Sequence, residues 1–380
     1  MEKLNCVPLP SMTPTLHITP PAQWLPVSAE PLVIAGPCSA ESEQQVMETA
    51  FGLAAIPQVR VFRAGIWKPR TRPGAFEGVG ISGLKWLQRV KRETGLLVTV
   101  EVANPRHVKE ALDHGIDILW IGARTVVNPF AVQEIGEAIG SLNIPVMIKN
   151  PLNPDLKTWI GAIERLNQMG LEKLMAIHRG FSFFNRSPYR NAPMWEIPIE
   201  LKRLYPNLPV MVDPSHICGN REMIAATIQK AFDLEMNGMM IEVHHNPSKA
   251  LTDKNQQITP LQLQEILAGL ILRRESGSIE FENKLEELRS EIDKLDEELI
   301  DILARRMKVV EDIGTYKKTN KITILQLKRW NQLINERIEA GEKMGLSREF
   351  ILKLMEALHE EGIQRQIDVM NEPPTSISSA

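Results

Sequence analysis

Eight short apolar runs alternate with amphipathic stretches between residues 31 and 272, and this alternation constrains the fold more than any other feature. The runs are PLVIAG (31–36), VRVFRAG (59–65), LLVTVEV (96–102), DILWIGA (117–123), IPVMIK (144–149), KLMAIH (173–178), LPVMVD (208–213) and GMMIEV (238–243). Unbroken Val/Ile/Leu/Met runs suit parallel strands buried on both faces; a half-exposed sheet would alternate apolar with polar residues. Stretches with helical periodicity lie between them at 105–114, 129–141, 155–169 and 219–236, and another follows at 260–272. The fold class expected is α/β, a (β/α)8 TIM barrel. A doubly wound open sheet is the alternative, but no GxGxxG follows the first run.

A chain of 380 residues exceeds one ordinary core, so a second domain is expected. The pattern changes at 273–280, where RRESGSIE reads as a linker, and 281–371 is long, charged and helical. Leu285, Leu288, Ile292, Leu295, Leu299 and Ile302 step by three and four, forming a heptad seam. A first helix of about 38 residues would span ~57 Å and leave little core to enclose, so an all-α domain that forms a homodimer is the economical solution. Residues 1–30 read as an extended N-terminal arm without a signal-peptide core, and 372–380 as a disordered tail. The net charge of −3 argues against nucleic acid or an anionic membrane as partner, and no apolar run reaches membrane-spanning length. Cys6, Cys38 and Cys218 form no paired spacing, which favours a reducing, cytoplasmic location.

In a barrel of this kind chemistry gathers where strands end. Those positions hold Cys38, Arg63, Glu101, Arg124, Lys149, His178, Arg179, Asp213, His216 and Glu242, with Asp253 in the last loop. Packing residues are the norm there, so a charged group at nearly every strand end points to a site. Arg63, Lys68, Arg70, Arg124, Lys149 and Arg179 are six cations on a slightly acidic chain, which implies more than one bound anionic group. Cys38, His216, Glu242 and Asp253 offer a mixed S/N/O donor set for a divalent transition metal. Asp213 could equally brace its turn. His244 and His245 are further ligand candidates, although neighbours along a strand face opposite ways.

GPCSAES (36–42), FRAGIWKPRTRPGAFEG (62–78), IGAR (121–124), HRG (178–180) and DPSH (213–216) resemble the compact form of 3-deoxy-D-arabino-heptulosonate-7-phosphate (DAHP) synthase, a relative of the synthase of 3-deoxy-octulosonate phosphate. KPRT at 68–71 separates the two. The resemblance implies phosphoenolpyruvate held by Arg63, Lys68, Arg124, Lys149 and Arg179. It implies erythrose 4-phosphate along Lys68, Pro69, Arg70 and Thr71, and a metal on Cys38, His216, Glu242 and Asp253. Manganese is favoured, with Fe, Co or Zn as alternatives, and Lys68 is the candidate proton donor. Thr252-Asp253-Lys254 stands where the family commonly has Ser-Asp-Gly, and RNAPMWEIP (190–198) departs from the usual pattern and receives no role.

In the helical segment, extending the series 285, 292, 299 by seven reaches Arg306, a cation on an apolar seam that must find an anion or fix register. Arg289 and Lys317 flank the same groove. LRSEIDKLDEELIDILARR (288–306) and IGTYKK (313–318) resemble the all-helical chorismate mutases, which are intertwined dimers. The resemblance implies chorismate or prephenate bound by Arg289 (reaching the partner's pocket), Arg306, Lys317, Arg329 and Gln366. Lys317 and Gln366 would be catalytic, donating to the ether oxygen. Gln326, Trp330 and Gly362 depart from the family's usual Asp, Glu and Ser. The expectation is a bifunctional enzyme of the shikimate pathway of aromatic amino-acid biosynthesis. The alternative is a helical domain that binds prephenate or chorismate only as a feedback sensor.

Overall fold

A computed structural model describes residues 15–25, 31–68, 74, 76–184, 187–273, 277–325 and 327–371, with only the helix backbone given for 327–329 and 331. It divides into two compact units, Met1–Arg273 and Arg274–Ala380. In the first, β1 (Leu32–Gly36), β2 (Val59–Arg63), β3 (Leu97–Val102), β4 (Ile118–Ile121), β5 (Val146–Lys149), β6 (Leu174–His178), β7 (Val210–Val212) and β8 (Gly238–Glu242) pair in sequence order. Every pairing is parallel, and β8 closes on β1 from Leu32↔Gly238 to Gly36↔Glu242. The helices that follow are α1 (Glu43–Ala54), α2 (Ile81–Thr94), α3 (Pro105–Asp113), α4 (Pro129–Ile139), α5 (Leu156–Gln168), α6 (Glu196–Leu204), α7 (Pro214–Cys218), α8 (Ile224–Asp233) and α9 (Pro260–Gly269).

The unbroken apolar runs are explained by two separate cores. Alternate residues of one strand go to opposite faces. Ile34, Val61, Met147, Met175, Met211 and Met240 fill the barrel interior, while Val33, Ala35, Phe62, Ile148 and Ile241 pack against the helices. Four methionines in the interior are suited to its tapering gaps, since the thioether chain adapts its shape. Leu25 is buried in the same interior cluster, and Thr19 N–H donates to Glu172 O, so the described part of the N-terminal arm is pinned to the barrel.

Several helices start on the same local device, a capping residue followed by proline. Asn104-Pro105, Asn128-Pro129, Asp213-Pro214 and Thr259-Pro260 each place an oxygen on a free N–H of the first turn. Proline at the first helical position loses no hydrogen bond, and each cap contributes about 1 kcal/mol. Three of these starts lie close behind β3, β7 or β4, which holds the rim of the barrel in place.

The second unit holds α10 (Ile279–Thr319), α11 (Leu327–Lys343) and α12 (Arg348–Asn371). Ser278 caps α10 through Phe281 N–H, so the helix begins within the expected linker. The heptad seam is solvent-exposed: Leu288, Ile292, Leu295, Leu299 and Ile302 are 46–57% accessible. Among the described residues no helix is long and apolar enough to cross a membrane.

Candidate active site of the barrel and the helical groove

Arg63, Lys149, His178 and Glu242 are the last residues of β2, β5, β6 and β8, and barrel closure brings them to one rim. Cys38, two residues past β1, lies with Glu242 and Asp253 in a group whose donor atoms are all within 4.8 Å of one another. Cys38 Sγ is 3.3 Å from Asp253 Oδ2, and His216 Nε2 is 3.7 Å from Glu242 Oε1. Donors bound to one ion at ~2.0–2.3 Å sit roughly 3–4 Å apart, so the Cys38–Glu242–Asp253 spacing fits a shared ion, while the predicted fourth donor, His216, lies outside that group and beside Glu242. Asp213 caps α7 and also accepts from His216 Nδ1–H at 2.8 Å. That bond fixes the imidazole tautomer and leaves the Nε2 lone pair for a metal. Glu242 Oε1 is fully buried; no hydrogen bond reaches it among the described residues, and Arg63 Nη2 lies 3.4 Å away as a buried ion pair.

The surrounding charges agree with this. Burial pushes the Cys38 thiol up to about 12, and the Glu242 charge adds to that. A coordinated ion reverses the effect, since a ligating thiol ionises outright. The His216 ring, donating from Nδ1, and the Lys149 ammonium hold Asp213 well below the carboxylate range despite its complete burial. The cation of Arg190 does the same for Asp253.

Three of the predicted cations are deeply buried. Arg63 donates from Nη2 to Cys38 O at 3.3 Å and stacks over Trp120 at 5.1 Å. Its Nε and Nη1 are buried without hydrogen-bond partners among the described residues. Two unpaired donors on a buried guanidinium are costly unless an anion arrives. Lys149 Nζ donates to Asp213 at 2.8 Å, and Arg179 Nη1 donates to Asn191 Oδ1 at 2.8 Å. Burial lowers Arg179 to about 10, with the cations of Arg190 and Arg124 contributing. Arg124 itself is exposed. Lys68 Nζ donates to Cys38 O at 2.8 Å and to Sγ at 3.0 Å, which sets it beside the metal donors. Pro69, Arg70 and Thr71 lie outside the described residues, and so does most of the KPRT discriminator.

Two expectations change. The rings of His244 and His245 stack at 4.6 Å instead of facing apart, because β8 ends at Glu242 and strand alternation no longer applies. His244 Nδ1 accepts from Asn246 N–H at 2.9 Å, so its neutral Nε2 carries the proton and offers no lone pair. Glu101 is tied up within the barrel, its Oε2 accepting from Trp120 Nε1–H at 3.2 Å. Sequence reasoning also missed Asn150, Arg190, Asn191 and Gln256. They lie in loops without periodicity, and only the polar bias of 190–191 hinted at them.

In the helical unit, Arg306 is half-buried and donates to Leu358 O on α12 at 3.3 Å, facing into the unit while the seam before it faces solvent. Lys317 donates to Ile324 O at 2.6 Å, and burial lowers its pKa. Gln366 Nε2 donates to Gly362 O at 3.2 Å, and its Oε1 is buried without a partner among the described residues. Trp330 stacks on His359 at 3.7 Å. Arg289 is exposed, 3.8 Å from Glu286. The side chain of Arg329 and all of Gln326 lie outside the described residues.

The DAHP synthetase I family matches residues 28–273, and chorismate mutase type II matches residues 288–367. A phospho-2-dehydro-3-deoxyheptonate aldolase of Thermotoga maritima is 32% identical over 226 residues, 60% of this chain and 64% of that protein. A 2-dehydro-3-deoxyphosphooctonate aldolase of Desulfatibacillum aliphaticivorans is 29% identical over 65% of this chain and 93% of its own length. The crystal structure of the Thermotoga maritima DAHP synthase superposes with a TM-score of 0.57 at 29% identity, covering 63% of this chain and 67% of that one. A truncated form of that synthase gives 0.55 at 28% identity, covering 63% and 84%. The chain belongs to the DAHP synthetase I family through its barrel and carries a chorismate mutase type II domain at its helical end.

Proposed function

We propose that the barrel condenses phosphoenolpyruvate with erythrose 4-phosphate and water, giving DAHP and phosphate. The observation that carries this reading is Arg63, a buried guanidinium with two unpaired donors directly beside the Cys38–Glu242–Asp253 donor group. That juxtaposition suits an anionic substrate next to a cation-activated aldehyde. Arg63, Lys149 and Arg179 neutralise the phosphate and carboxylate of phosphoenolpyruvate, with Arg124 and Lys68 at the open side. Lys68, Pro69, Arg70 and Thr71 serve the sugar phosphate. A divalent ion on Cys38, His216, Glu242 and Asp253, manganese before iron, cobalt or zinc, supplies Lewis acidity toward the aldehyde oxygen. C3 of the enol bonds the aldehyde carbon, the developing positive charge at C2 takes up water, and the C2–O bond to phosphate then breaks. Lys68 supplies the proton to the new hydroxyl. Chelation abolishes this reaction and Mn²⁺ restores it, as a two-substrate assay on the full chain would read; full activity after exhaustive chelator dialysis rules the metal out.

The helical unit rearranges chorismate to prephenate in a homodimer, within the shikimate pathway of a cytoplasmic enzyme. This reaction needs no nucleophile, only a held conformer and stabilised charge on the breaking ether bond. Arg306 and Lys317 pair with substrate carboxylate, Lys317 and Gln366 donate to the ether oxygen, Arg329 is a further binding residue, and Arg289 serves the partner's pocket. The exposed seam of α10 supports the dimer. A second reading, a prephenate or chorismate sensor without turnover, is favoured by one observation: Trp330 is engaged on the His359 ring, where the family commonly has a Glu to accept the substrate hydroxyl. Chorismate loss by the full chain, with Arg306→Ala as control, separates the two. Binding of prephenate with no turnover supports the sensor, which would then adjust barrel activity by differential affinity for two states.

A further inference from the structure

The segment between β6 and α6 carries Arg190, to which no role falls in the chemistry above. Its Nη1 donates to Asp253 Oδ1 at 2.9 Å and to Gln256 Oε1 at 2.6 Å. Gln256 is itself 1% accessible, and its Nε2 donates to Glu242 Oε2 at 2.7 Å. Each of the two carboxylates therefore has one oxygen held by this pair and the other turned toward the donor group: Asp253 Oδ2 toward Cys38, and Glu242 Oε1 toward His216 and the buried Arg63 guanidinium. The Gln256 amide can be oriented only one way. Turned over, its NH2 would meet the guanidinium and its oxygen would meet a carboxylate.

Arg190 is in turn held by its backbone. Its N–H donates to Cys218 O at 3.3 Å, and a Cβ at Gly219, where φ is +69°, would run into the Arg190 side chain. The next residue, Asn191, donates to His216 O at 2.6 Å and accepts from Arg179 at 2.8 Å. One dipeptide thus reaches the His216 turn, both carboxylates and a buried cation. Arg190 is half-exposed, and an ion pair of that kind contributes little to stability. What it does add is orientation, for an Asp253 whose own backbone sits at φ +47°.

We infer that Arg190, acting through Gln256, is a positioning residue that presets Asp253 and Glu242 for a divalent ion. The inference rests on the metal reading above. The test is Mn²⁺ titration of the metal-free full chain, followed by the electron paramagnetic resonance of free Mn²⁺, with Co²⁺ and its thiolate absorption as a second probe. Arg190→Met keeps the stem and removes the donors, and Gln256→Leu removes the relay. Each weakens Mn²⁺ binding by about 10–100-fold, the usual cost of losing a ligand's outer partner. The double variant is no weaker than the worse single, because the two residues act in one network, and Arg190→Lys recovers part of the affinity. Metal-free melting temperatures stay within about 4 °C of the parent. Parental Mn²⁺ affinity in Arg190→Met overturns the inference, as does a loss matched by a collapsed metal-free melting temperature in both single variants. If Arg190→Met fails to fold, Gln256→Leu decides by the same two readouts. A parent chain that binds no Mn²⁺ overturns the metal site and this inference with it.

Discussion

The barrel and the helical unit solve the burial problem in opposite ways. In the barrel, β1, β4, β5, β6, β7 and β8 are buried at every residue, because one strand face packs inward and the other against helices of the same chain. The forty-one-residue α10 buries one residue of its own, Gly314, and leaves its apolar seam in water. Chemistry follows the same division. The barrel assembles its charged rim from strand ends of a single chain, since closure forces them together. In the helical unit Arg306, Lys317 and Gln366 are half-buried, while Arg289 projects to solvent. A closed sheet gathers its charged rim from one chain; the helical unit keeps an apolar seam in water, and the proposed homodimer rests on that seam.

The sharpest way to break this contrast is to remove the metal. Exhaustive chelation lowers the barrel reaction by about 10³-fold or more, because a Lewis acid supplies several kcal/mol, and leaves chorismate turnover untouched. Paired assays on one sample check it. In the other direction, Arg306→Ala lowers chorismate turnover by about 10²–10³-fold, the usual cost of one charge-stabilising donor, with barrel kinetics unchanged. Loss of both activities would mean that the two units are not chemically separate.

Self-association sharpens the contrast further. Leu295→Glu puts a charge on the seam and weakens a dimer by about 100-fold or more, read by sedimentation equilibrium, while the barrel stays folded. A smaller effect belongs to the barrel alone. A Cβ at Gly238 would run into the Leu32 carbonyl oxygen, strand backbone that has no room to give, so Gly238→Ala costs about 1–3 kcal/mol in urea unfolding of the barrel.

The smallest effect concerns pH. Burial, helped by the cation of Arg179, lowers His178 to about 3, against an unfolded value near 6.5. Between those values the unfolded chain binds a proton that the folded chain refuses. Stability therefore falls as pH drops, at about 1.4 kcal/mol per unit below pH ~6.5. His178→Gln removes that component, as the difference between barrel unfolding free energies at pH 6 and pH 5 would show.

Much of the barrel was legible because its physics is local in sequence. A strand buried on both faces has to be an apolar run, and a capping residue followed by proline has to start a helix, so the strands appear where periodicity places them. Arg63, Lys149 and Glu242 stand at the ends of apolar runs, and Cys38, Arg179, His216 and Asp253 follow such runs in the next loop, so their place at one rim could be expected from the strand pattern alone. The His244–His245 stack was not legible, because alternation ends with the strand. Arg190 and Gln256 were not, because loop residues have no period and find their partners only across the barrel mouth.

By itself, then, the sequence determined the barrel, the long exposed helix and the two sets of charged residues, since periodicity and composition act over a few neighbouring residues. Only the tertiary structure decided which donors of Arg63 are left without hydrogen-bond partners, that Arg190 and Gln256 meet the carboxylates of Asp253 and Glu242, and which way Arg306 faces. Those depend on distances between segments far apart in the chain, and such distances exist only once the sheet has closed and the helices have packed.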